Sequence, residues 1–254
     1  PGDYKVAVQE AGPASDRGRA LVEGDRLFTL ANTRRNAGTA QANRDAIQSF
    51  AEAREKYVAA DEPWRIAESW NRIGVAQLAL NEHGNALASF DATRVIVDRI
   101  GDRRWQGVLL NNIGLAHWNL SEVTEALDAH REALAIRREV GDKFGEASSL
   151  LNTALVYTGI GEPEKSVALL QETLPLRRLV GDKPGEMRSL TSLANAARAT
   201  GNYALTFDSL SRALAIAKEQ KDKNGEVDVL RSMSSSYLTL GDLAQARQAI
   251  ETAL

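Results

Sequence analysis

The side chains that most often carry out enzymatic or metal chemistry are sparse in this chain. Its 254 residues include three histidines and no cysteine, which excludes disulfides, thiolate metal sites and a cysteine nucleophile from the chain. His83, His117 and His130 are never three or four residues apart, so no two of them form a metal-binding pair on one helix face. Forty residues after the second and third histidines stand Tyr157 and Leu170, which favours core or edge packing at these positions.

The acidic residues and glycines do not form a catalytic pattern either. Aspartate and glutamate number 34, but they are scattered along the sequence without a paired acid and base. The glycines recur at a fixed period and do not make a phosphate-binding loop. We therefore predict that the chain is not an enzyme and that it binds no metal and no cofactor.

The composition limits the classes of protein and partner. Hydrophobic residues make up 43% and charged residues 26%, a balance typical of a folded globular protein. The net charge of -3 gives no support to nucleic acid as the main partner, and no apolar run approaches the roughly 18 residues of a membrane span. Because the chain begins at Pro1 and stops within a repeat, we expect it to be part of a longer protein. A signal peptide could then precede Pro1, so the sequence leaves the cellular compartment of the protein open, with the cytoplasm slightly favoured.

Nearly the whole chain follows a period of forty residues. Within each period, large apolar residues and a small one recur at spacings of three, four and seven, as in Leu110, Ile113 and Gly114, and this describes one face of an α-helix. A turn residue follows, and a second helical pattern then begins. The period is marked by a residue pair that ends in aspartate, at Gly101-Asp102, Gly141-Asp142, Gly181-Asp182 and Lys221-Asp222.

These patterns predict an all-α array in which each period is an antiparallel hairpin of two helices. A repeat of this length indicates a solenoid whose hairpins bury their apolar faces against their neighbours. We expect about six hairpins, at residues 16–60, 61–100, 101–140, 141–180, 181–220 and 221–254. Residues 1–15 are expected to be an extended strand and linker, because Tyr4, Val6 and Val8 alternate. Pro175 should bend its helix without breaking it.

The repeated segments resemble the tetratricopeptide repeat in its forty-residue variety. The resemblance rests on residues 110–116 and 150–157 for the first helix and on Ala126-Leu127 and Ala133-Leu134 for the second, and it covers residues 16–254. It implies a right-handed superhelix whose first helices line a concave wall. It also implies that a protein or an extended peptide binds on that wall, while the fold alone does not name the partner.

A narrower resemblance is to bacterial proteins in which a β-sandwich precedes such repeats and a caspase-like (CHAT) peptidase domain follows them. Residues 1–8, PGDYKVAV, are similar to the last strand of that sandwich, and the repeats share the pattern GDKxGE. The resemblance implies that this chain is the recognition or regulatory segment of a larger bacterial protein. Residues 1–15 would then remain from the preceding β domain.

The tetratricopeptide resemblance also implies which side chains line the concave wall. A side-chain amide both donates and accepts hydrogen bonds, so it can pair with the backbone of an extended peptide whatever its sequence. Two alternatives stay open, since the asparagines can instead bond neighbouring helices and the tryptophan can pack between hairpins. The implied wall residues are Asn71, Arg72, Asn111, Asn112, Leu115, Trp118, Asn152, Leu155, Arg188, Asn195, Arg198 and Arg231.

The implied wall changes from asparagine in its first half to arginine in its second. Arg188, Arg198 and Arg231 can bind an acidic side chain or a terminal carboxylate through charge-assisted hydrogen bonds, or they belong to an ordinary solvated surface. Two arginine pairs on second helices suit the C-terminal end of a helix dipole and are assigned no function; they are Arg137-Arg138 and Arg177-Arg178. We therefore predict a peptide- or protein-binding module. The alternative is a structural scaffold that self-associates through the open ends of the array.

Overall fold

A computed structural model describes residues 15–253, which form twelve α-helices and no β-strand. The all-α prediction is therefore confirmed for this part of the chain. The extended segment predicted at residues 1–15 lies outside the described residues, apart from Ser15, which caps the first helix. The helices are α1 (Asp16–Arg35), α2 (Ala40–Ala59), α3 (Pro63–Ala79), α4 (His83–Ile100), α5 (Arg103–Asn119), α6 (Val123–Glu139), α7 (Lys143–Gly159), α8 (Pro163–Leu179), α9 (Lys183–Ala199), α10 (Tyr203–Gln220), α11 (Lys223–Thr239) and α12 (Leu243–Ala253).

The described helices belong to two compact units, α1–α4 before Asp102 and α5–α12 from Arg103 onward. We call the odd-numbered helices first helices and the even-numbered ones second helices. Within each unit, every first helix packs against the second helix that follows it, and that helix packs against the next first helix. In the second unit, α5, α7, α9 and α11 also contact one another in that order. This packing confirms the stacked helical hairpins that the forty-residue period predicts.

A residue with left-handed backbone follows a helix at every twentieth position. Glycine supplies six of these ten positions, and the others carry Asp61, Asn81, Ser121 and Lys221 at φ values of 53° to 64°. Such a residue ends the helix because its backbone cannot continue the right-handed turn. Helices therefore end at all four residue pairs that mark the forty-residue period, and also midway between them. The ten residues are Asp61, Asn81, Gly101, Ser121, Gly141, Gly161, Gly181, Gly201, Lys221 and Gly241.

The GDKxGE pattern has a structural explanation. In its first copy, Asp142 caps α7 by accepting a hydrogen bond from the backbone nitrogen of Gly145 at 2.9 Å. The carboxylate of Glu146 is nearly buried, and it accepts from Lys143 at 2.8 Å and from Arg138 at 2.9 Å. The next copy repeats the cap and the arginine–glutamate ion pair. The pattern therefore links the end of one hairpin to the start of the next.

In two hairpins a ring on the second helix lies directly against a glycine on the first. A methyl group added to Gly74 would come within 2.5 Å of the Phe90 ring, and one added to Gly114 would come within 2.6 Å of the His130 ring. The small residue on the first helix therefore allows the second helix to approach closely in these two hairpins. The corresponding positions of the next two hairpins hold alanine and leucine, all buried in one core, at Ala154, Leu170, Ala194 and Leu210.

Helix length distinguishes the first hairpin from the others. Helices α1 and α2 have 20 residues each, whereas α3 to α11 have 17 or 18. Helix α8 continues through Pro175 without a break, as expected; the bend predicted there stays a prediction. No helix within residues 15–253 is long and apolar enough to cross a membrane.

Candidate functional site

Side chains three, four and three residues apart form a stripe along each first helix of the second unit. We call these four stripes together the first-helix face. Residues at this spacing lie on one side of an α-helix, and the stripes lie next to one another because the four helices are in contact. The face consists of Val108, Asn111, Leu115 and Trp118 on α5; Ser148, Leu151, Leu155 and Thr158 on α7; Arg188, Thr191, Asn195 and Arg198 on α9; and Asp228, Arg231, Ser235 and Leu238 on α11.

A cleft of about 330 Å³ opens on this face between α5, α7 and α9. It brings together four of the predicted wall residues, namely Asn111, Leu115, Asn152 and Arg188. Its surface is mixed, with apolar side chains, two amides and both signs of charge. The remaining lining residues are Phe144, Ser148, Leu151, Arg177, Asp182, Pro184 and Gly185.

The two asparagines of the cleft bond to each other across neighbouring first helices. Asn152 Nδ2 donates to Asn111 Oδ1 at 2.8 Å, so the interpretation of Asn152 as a link between helices is correct for this atom. Among the described residues, Asn111 Nδ2 and Asn152 Oδ1 have no hydrogen-bond partner. One donor and one acceptor therefore remain, which is the set that a peptide backbone amide requires.

Arg177 forms the polar floor of the cleft although it extends from a second helix. It is buried, and it donates to Asp182 at 2.6 Å and to Ser148 Oγ at 3.0 Å. Its guanidinium lies 5.1 Å from the ring of Phe144, within the range of a cation–π contact. Burial lowers the pKa of Arg177, the nearby charge of Arg188 lowers it further, and Asp182 opposes both. This end of the cleft is therefore lined by two guanidinium groups, those of Arg177 and Arg188, and the first of them is paired with Asp182.

The other predicted residues of the second unit lie outside the cleft lining. Leu155 and Asn195 are exposed and Asn112 is half-buried.

Trp118 packs against Gly159 at the end of α7, where an added methyl group would come within 2.4 Å of the indole. Packing between hairpins is therefore the observed contact of this tryptophan. Arg198 and Arg231 lie farther along the first-helix face.

Two predicted residues belong to the first unit and are described there alone. Asn71 is buried in α3. Arg72 is about one-third exposed and pairs with Glu68 one turn away at 3.3 Å. Within residues 15–253, no group of histidine, aspartate and glutamate side chains could hold a metal ion.

Sequence reasoning missed Phe144 and Arg177. In the sequence, the position of Arg177 near the C-terminal end of a helix is explained by the helix dipole alone. The structure shows instead that its side chain is buried and lines the cleft. One signal could have revealed it, because the equivalent positions of two other repeats hold the apolar residues Val97 and Ala217, although the preceding repeat holds Arg137. Phe144 occupies a position that holds Trp64, Arg104, Pro184 and Asn224 in the other copies, and this variability hides it.

The chain belongs to the tetratricopeptide repeat family. The sequence pattern of that family matches residues 105–178 and 185–254, which include the cleft lining except Asp182 and Pro184. A comparison with curated proteins finds no significant match.

Three solved structures are similar to this chain at identities that show the fold alone. The tetratricopeptide repeat sensor protein of the STAND class of signal-transduction ATPases, from Pyrococcus horikoshii, matches with a TM-score of 0.74 and 21% identity over 90% of this chain and 35% of its own. Aspartyl phosphate phosphatase F from Bacillus subtilis matches with a TM-score of 0.75 and 10% identity over 93% of this chain and 70% of its own. A Rap protein complexed with competence and sporulation factor matches with a TM-score of 0.66 and 10% identity over 93% of this chain and 76% of its own. This chain therefore spans about a third of the Pyrococcus protein.

Proposed function

We propose that this chain binds an extended peptide segment of a partner protein on the first-helix face of its second unit. The cleft carries this proposal, because it combines an unpaired amide donor and acceptor with an exposed aromatic ring and two arginines. A protein groove of this kind offers backbone pairing and side-chain pockets together. The Rap protein of similar fold was solved with competence and sporulation factor, and another Rap structure of similar fold was solved in complex with the Phr* peptide, which supports a peptide ligand for an array of this kind.

We further propose that the chain is a recognition or regulatory segment of a larger bacterial protein with a caspase-like peptidase domain. The sequence at residues 1–8 and the GDKxGE pattern support this context, with residues 1–15 as the end of a β domain. The Pyrococcus protein, whose repeats are described as a sensor, is an example of such repeats within a longer signalling protein. The adjoining gene sequence tests the idea: a His/Cys dyad in the next domain supports it, and a stop codon after further repeats contradicts it.

A scaffold that self-associates is the second candidate function. A cleft of about 420 Å³ on α11 and α12 is lined mainly by apolar side chains, including Leu238, Leu243, Ala246 and Ile250. Sedimentation velocity over a range of concentrations separates the two candidates. A scaffold gives a mass that rises with concentration and returns to the monomer in Leu243→Glu, whereas a peptide-binding module sediments as a monomer throughout.

Loss of the cleft side chains is expected to abolish peptide capture. A random dodecapeptide phage library is selected against the chain, and the affinity of a selected peptide is measured by fluorescence anisotropy. The double variant Phe144→Ala/Asn152→Ala should bind it at least about tenfold more weakly, because it loses the aromatic contact and the free amide acceptor.

The matched control removes an exposed apolar side chain elsewhere. Leu179 lies at the end of α8, outside the cleft lining, and is 71% exposed. Leu179→Ala should leave the affinity unchanged, and circular dichroism should show the same helix content in all three proteins. Equal affinity of the double variant and the parent chain would contradict the proposed function.

A further inference from the structure

We propose that the ligand is an acidic peptide segment, with its apolar residues over α5 and α7 and its carboxylates over α9 and α11. This inference rests on the proposed function and specifies the chemistry of the partner. It follows from a change of chemical character along the first-helix face, which the four contacting helices make continuous within the second unit.

The half of the face on α5 and α7 is mainly apolar. Val108, Leu155 and the adjacent Phe144 are between 39% and 56% exposed, which is a large fraction for apolar side chains. Leu115 lines the cleft beside them, whereas Leu151, which also lines it, is already buried in the core. Burial of such side chains under a ligand contributes binding free energy in proportion to the area removed from water. This half therefore suits aliphatic or aromatic residues of a peptide.

The half of the face on α9 and α11 carries three arginines without partners. Among the described residues, Arg188, Arg198 and Arg231 make no ion pair and no side-chain hydrogen bond. Most other arginines of this unit are paired; Arg138 and Arg178, for example, each contact a glutamate. The only carboxylate among the eight stripe residues of these two helices is Asp228. Charge-assisted hydrogen bonds to a ligand carboxylate would satisfy these guanidinium groups.

Helix spacing sets the separation of the ligand's acidic residues. Packed helices lie about 10 Å apart, and an extended chain advances about 3.3 Å per residue. A peptide that crosses the first helices therefore passes from one to the next about every three residues. Arg188 and Arg231 lie on successive first helices, so we expect the carboxylates that contact them to be about three residues apart, on one side of an apolar segment.

The face favours a peptide over a nucleic acid. Single-stranded nucleic acid binds to a basic groove in which aromatic side chains stack on the bases, whereas the stripes on α9 and α11 contain no aromatic residue and include Asp228. Asn195 adds a side-chain amide between the arginines, which suits a peptide backbone. A net charge of -3 for the whole chain is also unlike that of a polyanion-binding protein.

The test compares peptides selected from the same random dodecapeptide library by three proteins. The parent chain should select sequences enriched about threefold or more in aspartate and glutamate, located on one side of the apolar residues. Arg188→Ala/Arg198→Ala/Arg231→Ala should select apolar sequences without acidic enrichment. A control with the same change of charge, Arg44→Ala/Arg99→Ala/Lys218→Ala, alters exposed residues of the second helices α2, α4 and α10 and should select as the parent does.

Direct titration separates this inference from the proposed function. An acidic peptide from the selection should bind the arginine triple variant at least about tenfold more weakly, and raising the salt concentration should weaken its binding to the parent but hardly to the variant. If the parent chain selects peptides without acidic enrichment, the inference is overturned. The proposed function still stands in that case, provided that binding depends on Phe144 and Asn152. Loss of that dependence overturns the proposed function itself. If the parent chain binds a fluorescein-labelled nine-residue oligothymidylate as tightly as it binds the selected peptide, the choice of a peptide as the ligand is contradicted.

Discussion

Replacement of His130 by phenylalanine is expected to raise the free energy of unfolding of the second unit by about 1–3 kcal/mol at pH 7. The imidazole is fully buried, and neither ring nitrogen has a hydrogen-bond partner in the described structure. A buried polar atom that leaves water without gaining a partner destabilises the folded state. Phenylalanine fits the position, because Phe90 occupies the equivalent site against Gly74 just as His130 does against Gly114.

The increase in the free energy of unfolding caused by His130→Phe should become larger as the pH falls. Burial lowers the pKa of His130 from 6.5 to about 4, and the nearby charge of Arg137 adds to the effect. Below pH 6.5 the unfolded chain binds a proton that the folded chain refuses until about pH 4, so stability is lost as the pH falls through this range. The loss amounts to about 3 kcal/mol in total, of which about 2 kcal/mol is lost between pH 7 and pH 5.

Urea unfolding at pH 7, 6 and 5, with hydrogen exchange of the α6 amides, measures both effects. The difference in unfolding free energy between His130→Phe and the parent chain should grow by about 2 kcal/mol from pH 7 to pH 5. His117→Gln is the control, because this half-buried histidine contacts Glu122 and its removal leaves His130 in place. A difference that stays constant with pH would contradict the buried, neutral imidazole.

Substitution of Gly114 by alanine is expected to destabilise the second unit by about 2–3 kcal/mol. Alanine has the higher helix propensity, worth about 1 kcal/mol in an exposed helix. At this position, however, the added methyl group would lie 2.6 to 2.9 Å from three atoms of the His130 ring. The ring is buried and cannot turn away, so α5 and α6 must separate, and the resulting loss of packing exceeds the gain in propensity.

A second change should restore the stability of this variant. The double variant Gly114→Ala/His130→Leu reproduces the alanine and leucine found at Ala154 and Leu170, so its unfolding free energy should equal or exceed that of the parent chain. The coupling between the two sites should be at least about 2 kcal/mol in a double-mutant cycle. Gly84→Ala is the control, since nothing lies within 4 Å of its added methyl group, and it should stabilise by about 0.5–1 kcal/mol. Additive effects at the two coupled positions would contradict the ring-on-glycine packing.

The helices and their ends could be predicted because every repeat contains the same sequence signals for forming and ending a helix. Apolar residues at helical spacing specify the buried side, and a glycine or a tolerant residue at every twentieth position ends the helix. The aspartate caps at Asp142, Asp182 and Asp222 follow from sequence position alone. Repetition makes each of these signals independent of the exact residue in any one copy, which is why Lys221 still ends a helix.

The site was less predictable because it depends on departures from the repeat. The sequence identifies Asn111, Asn152 and Arg188 as wall residues through the family pattern, and the structure brings them to one cleft. It does not reveal that the two asparagines use half of their hydrogen-bonding capacity on each other. Arg177 was missed since a side chain on a second helix reaches the cleft only through the three-dimensional packing of α8 against α9.

The position of the bound peptide tests the central claim most directly. A photoreactive benzoylphenylalanine replaces Leu155, which is 40% exposed on the first-helix face, or Leu179, which is exposed on α8. The selected dodecapeptide is titrated into each protein, and the cross-linked product is quantified by mass spectrometry. We expect the yield at position 155 to saturate at the dissociation constant measured by anisotropy, with only background at position 179. Equal yields at the two positions, or cross-linking at position 179 alone, would contradict binding on the first-helix face.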